Sequence, residues 1–232
     1  EHADRITAEL EFAESNLEAS LGGIAGVVSI GSFASGASQL AAPAAVRLQE
    51  AHSGLQVHVH EMEDPVSIRE LRLGGLDVAL LQEYTSVPTD VPAYLQTERL
   101  LVEPVVLAIP ESWDPPRRLR DLATAPWVAE PVVNPAGRAL LHACRAVGFE
   151  PDIHYRVVSF PVIVGLVRQG LGVSLVPQMA VHGDRRGVQF LPVPGRRLER
   201  TVTTAVRPAS RHRPAVHAAI GALRERADEL DD

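Results

Sequence analysis

A two-lobed α/β fold follows from three observations on the 232-residue chain: strand-like and helix-like stretches alternate with short links, the alternation occurs twice, and one long extended stretch joins the two runs. The first run opens on the strand Val27-Val28-Ser29-Ile30 and the tight turn Gly31-Ser32-Phe33-Ala34-Ser35-Gly36. A helix through Leu40, Ala44, Val46 and Leu48 follows. Next come the alternating strand from Leu55 to His60, a helix through Ile68 and Leu71, and the apolar strand from Leu76 to Leu81. Strand, helix, strand, helix, strand with short links is the pattern of a doubly wound parallel sheet.

The second run repeats it. Trp127-Val128-Ala129 reads as a strand, Asn134-Pro135 opens a helix through Leu140, Leu141 and Ala143, and residues 153–158 make the second strand. A helix through Val162, Leu166 and Val167 leads to the strand Val173-Ser174-Leu175-Val176. The run ends superpose when Gly75-Leu76-Asp77-Val78 is laid on Gly170-Leu171-Gly172-Val173, a glycine closing a helix before an apolar strand. Between the runs, the stretch from Leu100 to Pro110 is too long for one small strand and reads as a crossing from one lobe to the other. Residues 201–207 supply the return crossing, and a last helix through Val216, Ile220 and Leu223 packs back on the first lobe. The expected domains are a helix over 1–21, a first lobe over 24–102 and 205–232, and a second lobe over 103–204. Two antiparallel crossings make a two-stranded hinge, and a ligand in such a fold is expected in the cleft that it spans.

The N-terminal helix carries Ala3, Ile6, Leu10, Ala13 and Leu17 in alternating steps of three and four and ends at Gly22-Gly23. This narrow seam reads as a contact with a second copy; the alternative is a terminal helix folded back on its own domain. A net charge of −7 opposes binding to a polyanion, since affinity for nucleic acid begins with basic side chains on phosphates. All 22 basic residues are arginine, a composition that reads as codon bias. Cys144 is the one cysteine, which rules out a disulfide framework within these residues and reads as a small buried apolar group. With no signal peptide or membrane-length apolar run, the chain is expected in the cytoplasm and off the membrane.

These segments together resemble a known family. Residues 28–35, 48–61, 71–80 (Leu71-Arg72-Leu73-Gly74-Gly75-Leu76-Asp77-Val78-Ala79-Leu80) and 167–177 (Val167-Arg168-Gln169-Gly170-Leu171-Gly172-Val173-Ser174-Leu175-Val176-Pro177) are similar, in order and spacing, to the effector domain of LysR-type transcriptional regulators. The resemblance implies two Rossmann-like lobes on a two-stranded hinge, the type 2 periplasmic-binding-protein-like fold, preceded by a linker helix. It implies a small-molecule effector, a homodimer or homotetramer, and DNA contact only through an N-terminal winged helix-turn-helix, which these residues do not contain. The chain is therefore expected to be a fragment that senses and dimerises. Residues 111–116 lack the His-Pro-Leu often found there in the family.

Candidate binding residues lie where helices start at the carboxyl ends of parallel strands, since unpaired N–H groups and positive dipole ends point there. In the first lobe these are Ser32, Phe33 and Ser35, with Ser35 either capping the helix or turning to a ligand, and Phe33 an apolar wall. The resemblance places effectors at these three residues. In the second lobe, Asn134 is read as a capping residue followed by proline, with Ala136 and Glu130 beside it. Asp64, Gln82, Ser159 and Phe160 complete the set. Hydroxyls, amides and at least two acids favour a ligand with donors and acceptors, and a pocket without an evident arginine disfavours a dianion.

No cofactor or metal is expected. His58 and His60 share a strand face but have no third ligand at zinc-like spacing and read as solvated. Residues 31–36 are not a dinucleotide fingerprint, and no serine sits in Gly-x-Ser-x-Gly. The arginines at 117, 118, 120, 196 and 197 read as solvated surface. No acid/base or nucleophile set emerges, so an enzyme is not expected; the alternative is a solute-binding protein of a transporter.

Overall fold

The computed structural model describes residues 23–85, 87–181 and 185–231. The expected seam from Ala3 to Leu17 lies outside the described residues. The chain divides into two units: the described residues up to Gln82 with Asp90–Leu101 and Val202–Asp232, and Glu83–Thr89 with Val102–Thr201.

In the first unit, β1 (Ala25–Ser32) pairs in parallel with β2 (Gly54–Glu61) on one side and β3 (Val78–Tyr84) on the other, Ile30 facing Val59 and Val78. Helix α1 follows β1 after the single extended residue Phe33. It consists of an α-helical turn over Ala34–Gly36, a π-helical turn over Ala37–Ala41 and an α-helix over Ala42–Ala51. Pro43 accounts for the π turn: it has no N–H for the Gln39 carbonyl, and its ring would crowd that oxygen in a regular helix. The Gln39 carbonyl instead accepts a hydrogen bond from Arg226 Nε at 2.9 Å. Arg226 belongs to α5 (Pro214–Asp231), whose alanine-rich face, with Val216, Ile220 and Leu223, is buried as the spacing predicts. Alanines carry much of the inward face of α1 as well, at Ala41, Ala44 and Ala45 with Leu40 and Leu48, while Val46 is 57% exposed.

Helix α2 (Asp64–Leu73) ends at Gly74, whose left-handed backbone (φ 80°) turns the chain into β3. The carbonyls of Leu71 and Leu76 both accept from Arg207 Nη1, while Asp77 takes the Ser29 N–H and Arg213 on its two carboxylate oxygens. A dense apolar cluster of Leu71, Leu76, Ala79, Leu81, Leu95 and Ala205 lies beside this network.

In the second unit, β5 (Pro126–Ala129) and β6 (Asp152–Arg156) run parallel, and Trp127 bridges to Val173 in parallel just before β7 (Ser174–Pro177). Helices α3 (Pro135–Arg145) and α4 (Phe160–Arg168) connect them. The aliphatic core is centred on Trp127, fully buried, its indole N–H donating to the Leu122 carbonyl at 3.2 Å. Within α4, Val162 is 49% exposed, and Ile163, Val164 and Val167 face the core. The left-handed glycine here is Gly170 (φ 79°), four residues before β7 as Gly74 is four before β3. The Asp77 N–H binds the Ser29 carbonyl and the Val173 N–H the Pro126 carbonyl. The two run ends therefore superpose with Gly74 on Gly170, one residue away from the expected alignment.

Two strands serve as the crossings. β4 (Gln96–Pro110) has 15 residues, roughly 50 Å when extended, and β9 (Glu199–Val206) returns. The hydrogen-bonded order is β2-β1-β3-β9-β4-β7. β7 and the short β8 (Val188–Pro192) pair with β4 antiparallel. The fold is thus the expected one: two α/β units, each with a parallel core, joined by extended strands. Among the described residues no helix is long and apolar enough to cross a membrane.

Candidate functional site

The expected binding residues fall at the carboxyl ends of the parallel strands in both units. In the first, β1 ends at the fully buried Ser32, whose hydroxyl donates to the Phe33 carbonyl at 3.1 Å, and the Ser32 carbonyl accepts from Met62 N at the end of β2. Phe33, extended and buried, precedes the first turn of α1. Ser35 lies inside that turn, buried, and the residue in the capping position is Phe33, so Ser35 is not the N-cap of the helix. Gly36 is required by closeness: a Cβ there would stand 2.4 Å from the Ser32 hydroxyl.

Asp64 opens α2 and is almost fully buried; its Oδ2 accepts from the backbone N–H of Gln82 at 3.0 Å. This bond brings the ends of β2 and β3 together with Ser67, fully buried three residues along α2. Ser32, Ser35, Asp64, Ser67 and Gln82 thus form a polar end to an otherwise aliphatic sheet.

In the second unit, Glu130 follows β5 and is buried, accepting from Asn134 Nδ2 at 2.9 Å. Asn134 does occupy the residue before α3, but its amide is turned to Glu130 and makes no capping bond. The amide donates through Nδ2 to the carboxylate, and this bond sets its direction, so that Oδ1 caps no first-turn N–H. The first turn of α3 presses on the strand end so closely that a Cβ on Gly137 would meet the Glu130 and Pro131 carbonyl oxygens at 2.4 Å. Ser159 and Phe160 start α4 at the end of β6, Ser159 again without a capping bond, and the Val157 N–H ties this end to the Ala129 carbonyl. Ala136, half-buried, lines a shallow concavity with Tyr84, Thr85, Leu140, Leu198 and Glu199.

The expectations contain no trace of a second polar group in this unit. Arg200 of β9 is fully buried, its Nε and Nη2 donating to Glu103 Oε1 of β4 at 2.8 and 2.5 Å. The other Glu103 oxygen accepts from the Met179 N–H, and the phenol of Tyr84 is hydrogen-bonded to Arg200. Burial drives the Tyr84 phenol well above its ordinary pKa. Burial also works against the Arg200 charge, yet Tyr84 and Glu103 more than offset it, so the guanidinium stays charged. A signal for both charges exists in the strands. Glu103 shares the inward phase of Leu101, Val105 and Leu107, and Arg200 that of Val202 and Thr204.

Elsewhere, His58 and His60 are exposed with ring centroids 6.4 Å apart, and among the described residues no three histidine, cysteine or acidic side chains are grouped to hold a metal. Arg118 and Arg197 are exposed and pair with Asp121 and Glu199.

Residues 21–228 match the sequence model of the LysR substrate binding domain, and the chain belongs to this family. It is 29% identical over 196 residues to the DNA-binding transcriptional dual regulator OxyR of Escherichia coli K12, covering 78% of this chain and 60% of that protein. The chain thus spans about 60% of the length of such curated relatives. HinK, a LysR family regulator from Pseudomonas aeruginosa, superposes with a TM-score of 0.77 at 20% identity, over 91% of this chain and 75% of that one. The BenM effector binding domain with its effector benzoate gives 0.71 at 19% identity, over 88% of this chain and 93% of that one.

Proposed function

We propose that this domain is the effector sensor of a cytoplasmic LysR-type regulator and takes a small polar or anionic metabolite at the strand ends described above. The observation that carries the reading is the gathering of buried polar side chains at strand ends and helix starts: Ser32, Ser35, Asp64 and Gln82 in one unit, Glu130 and Asn134, with the half-buried Ser159, in the other. Phe33, Ala136 and Phe160 supply apolar walls. Backbone N–H groups at helix starts stabilise anionic or carbonyl oxygens without a lysine. That BenM binds benzoate in the same fold supports a small organic effector. In a longer protein, dimerised through the seam at residues 3–17, effector binding would shift the population of conformers and so the grip of a DNA-binding segment on its operator. The negative charge of these residues leaves DNA contact to such a segment. The relatives bear the names of transcriptional regulators, which favours this reading over a transport role.

A second chemistry deserves comparison, because a relative is named a hydrogen peroxide-inducible genes activator. A disulfide-forming sensor needs two thiols, and these residues hold one. Cys144 is buried on α3, and burial pushes its thiol up to about 12, leaving very little reactive thiolate near neutral pH. A metabolite is therefore the preferred signal.

The test is a thermal-shift screen against a metabolite library, followed by titration of each hit. Ser35→Ala, Gln82→Ala and Asn134→Ala are expected to weaken a genuine effector. A hit that survives all three unchanged binds elsewhere and overturns the site.

A further inference from the structure

We propose that Tyr84, Glu103 and Arg200 form a clamp that makes three of the chain's four passages between its two units a single cooperative element. The chain passes from one unit to the other at 82/83, 89/90, 101/102 and 201/202. Each clamp residue stands within two positions of a different passage: Tyr84 after the first, Glu103 after the third, Arg200 before the fourth. Three segments that are far apart in sequence, Glu103 and Arg200 being separated by 97 positions, are thus joined through one guanidinium.

Bonds of the main chain and of the Thr85 hydroxyl reinforce the same junction. Thr85 N donates to the Glu199 carbonyl at 3.0 Å, Glu199 N donates to the Thr85 hydroxyl at 3.0 Å, and Val105 N donates to the Leu198 carbonyl at 2.8 Å. On the other side of the first passage, Gln82 N is held by the Asp64 carboxylate, with Glu83 alone between Gln82 and Tyr84. A hydrogen-bonded sequence therefore runs from a candidate binding residue, Asp64, along two residues of chain into the clamp and on to β4, β9 and the Met179 N–H. The choice of chemistry is informative. An apolar trio of similar volume often matches or exceeds a buried ion pair in stability, so charge at this position points to a role in specifying one arrangement of the three strands.

Amide hydrogen exchange on the 232-residue chain tests it. Tyr84→Phe removes one hydroxyl and keeps the ring in the core. The expected result is faster exchange, roughly tenfold, in peptides covering 82–87, 101–106 and 198–203 together, with β5 and α3 unchanged. Acceleration confined to the peptide around residue 84, or spread evenly over the second unit, overturns the clamp. The paired replacement Glu103→Leu with Arg200→Met keeps the volume apolar and is expected to preserve Tm within a few degrees while the three peptides lose their common rate. If the three segments still exchange in step in that variant, the charges do not couple them and the proposal fails.

Discussion

The two units place the same kinds of side chain at their strand ends in opposite order. In the first, a Ser-Phe pair, Ser32-Phe33, follows the first strand, and the acid, Asp64, follows the second. In the second, the acid, Glu130, follows the first strand and the Ser-Phe pair, Ser159-Phe160, follows the second. The partners of the two acids differ as well. Asp64 is tied to main chain, the Gln82 N–H, whereas Glu130 is tied to a side-chain amide, that of Asn134. A backbone partner cannot rotate away, while an amide side chain can exchange its bond for one to a ligand. On the proposed binding reading, Asp64 would serve as a structural anchor at the strand ends and Glu130 as the acid better suited to answer a ligand.

The largest expected effect concerns how each unit secures its strands. Glu103→Gln leaves the Arg200 charge buried without its counter-charge and is expected to cost about 3–5 kcal/mol in urea unfolding. A loss below about 1 kcal/mol would show that the junction is wet or relaxed, and would remove the contrast with the partly exposed Asp77–Arg213 pair of the first unit. Next in size, Asp64→Ala orphans the buried Gln82 N–H and is expected to cost about 2–3 kcal/mol by the same measurement. An unchanged midpoint would break the assignment of Asp64 as an anchor.

Much of this was readable before any coordinates. Alternation and helical spacing located the strands and helices, and the length of the stretch from Leu100 to Pro110 disclosed a crossing, because a small lobe has no room for so long a strand. The alternation also held the phase of Glu103 and Arg200, but charge argued against burial, and only the pairing of strands 97 positions apart reconciles the two. Val46, one of the apolar positions along α1, is exposed, because that helix approaches its neighbours through alanines that permit close packing. β8 is five residues long and gains its order from β4 some eighty positions earlier, a non-local pairing without a local signature. The strand ends of the candidate site were legible because the doubly wound pattern dictates where helices begin. The direction of the Asn134 amide was not, since it is set by the Glu130 carboxylate, which takes its Nδ2 donor.

Two smaller effects sharpen the comparison around Glu130. Gly137→Ala drives a methyl group into two carbonyl oxygens of fixed backbone and is expected to cost about 1–2 kcal/mol. Gly165→Ala, on α4 with open space around its Cα, is expected to add about 0.5–1 kcal/mol by reducing the entropy of the unfolded chain. Equal responses at the two glycines would mean that the start of α3 yields easily and does not hold Glu130 in place. The smallest change in stability is expected from Glu130→Gln, below about 1 kcal/mol, because the amide oxygen of glutamine still accepts the Asn134 bond. Its consequence belongs to binding. Removing the charge while keeping the shape should alter which metabolites shift the melting temperature, favouring acids over amines. Asp64→Asn should lower the melting temperature for every ligand alike. If instead Glu130→Gln destabilises the domain as much as Asp64→Asn and leaves the ligand profile untouched, both acids are anchors and the unit-to-unit difference in their partners carries no functional meaning.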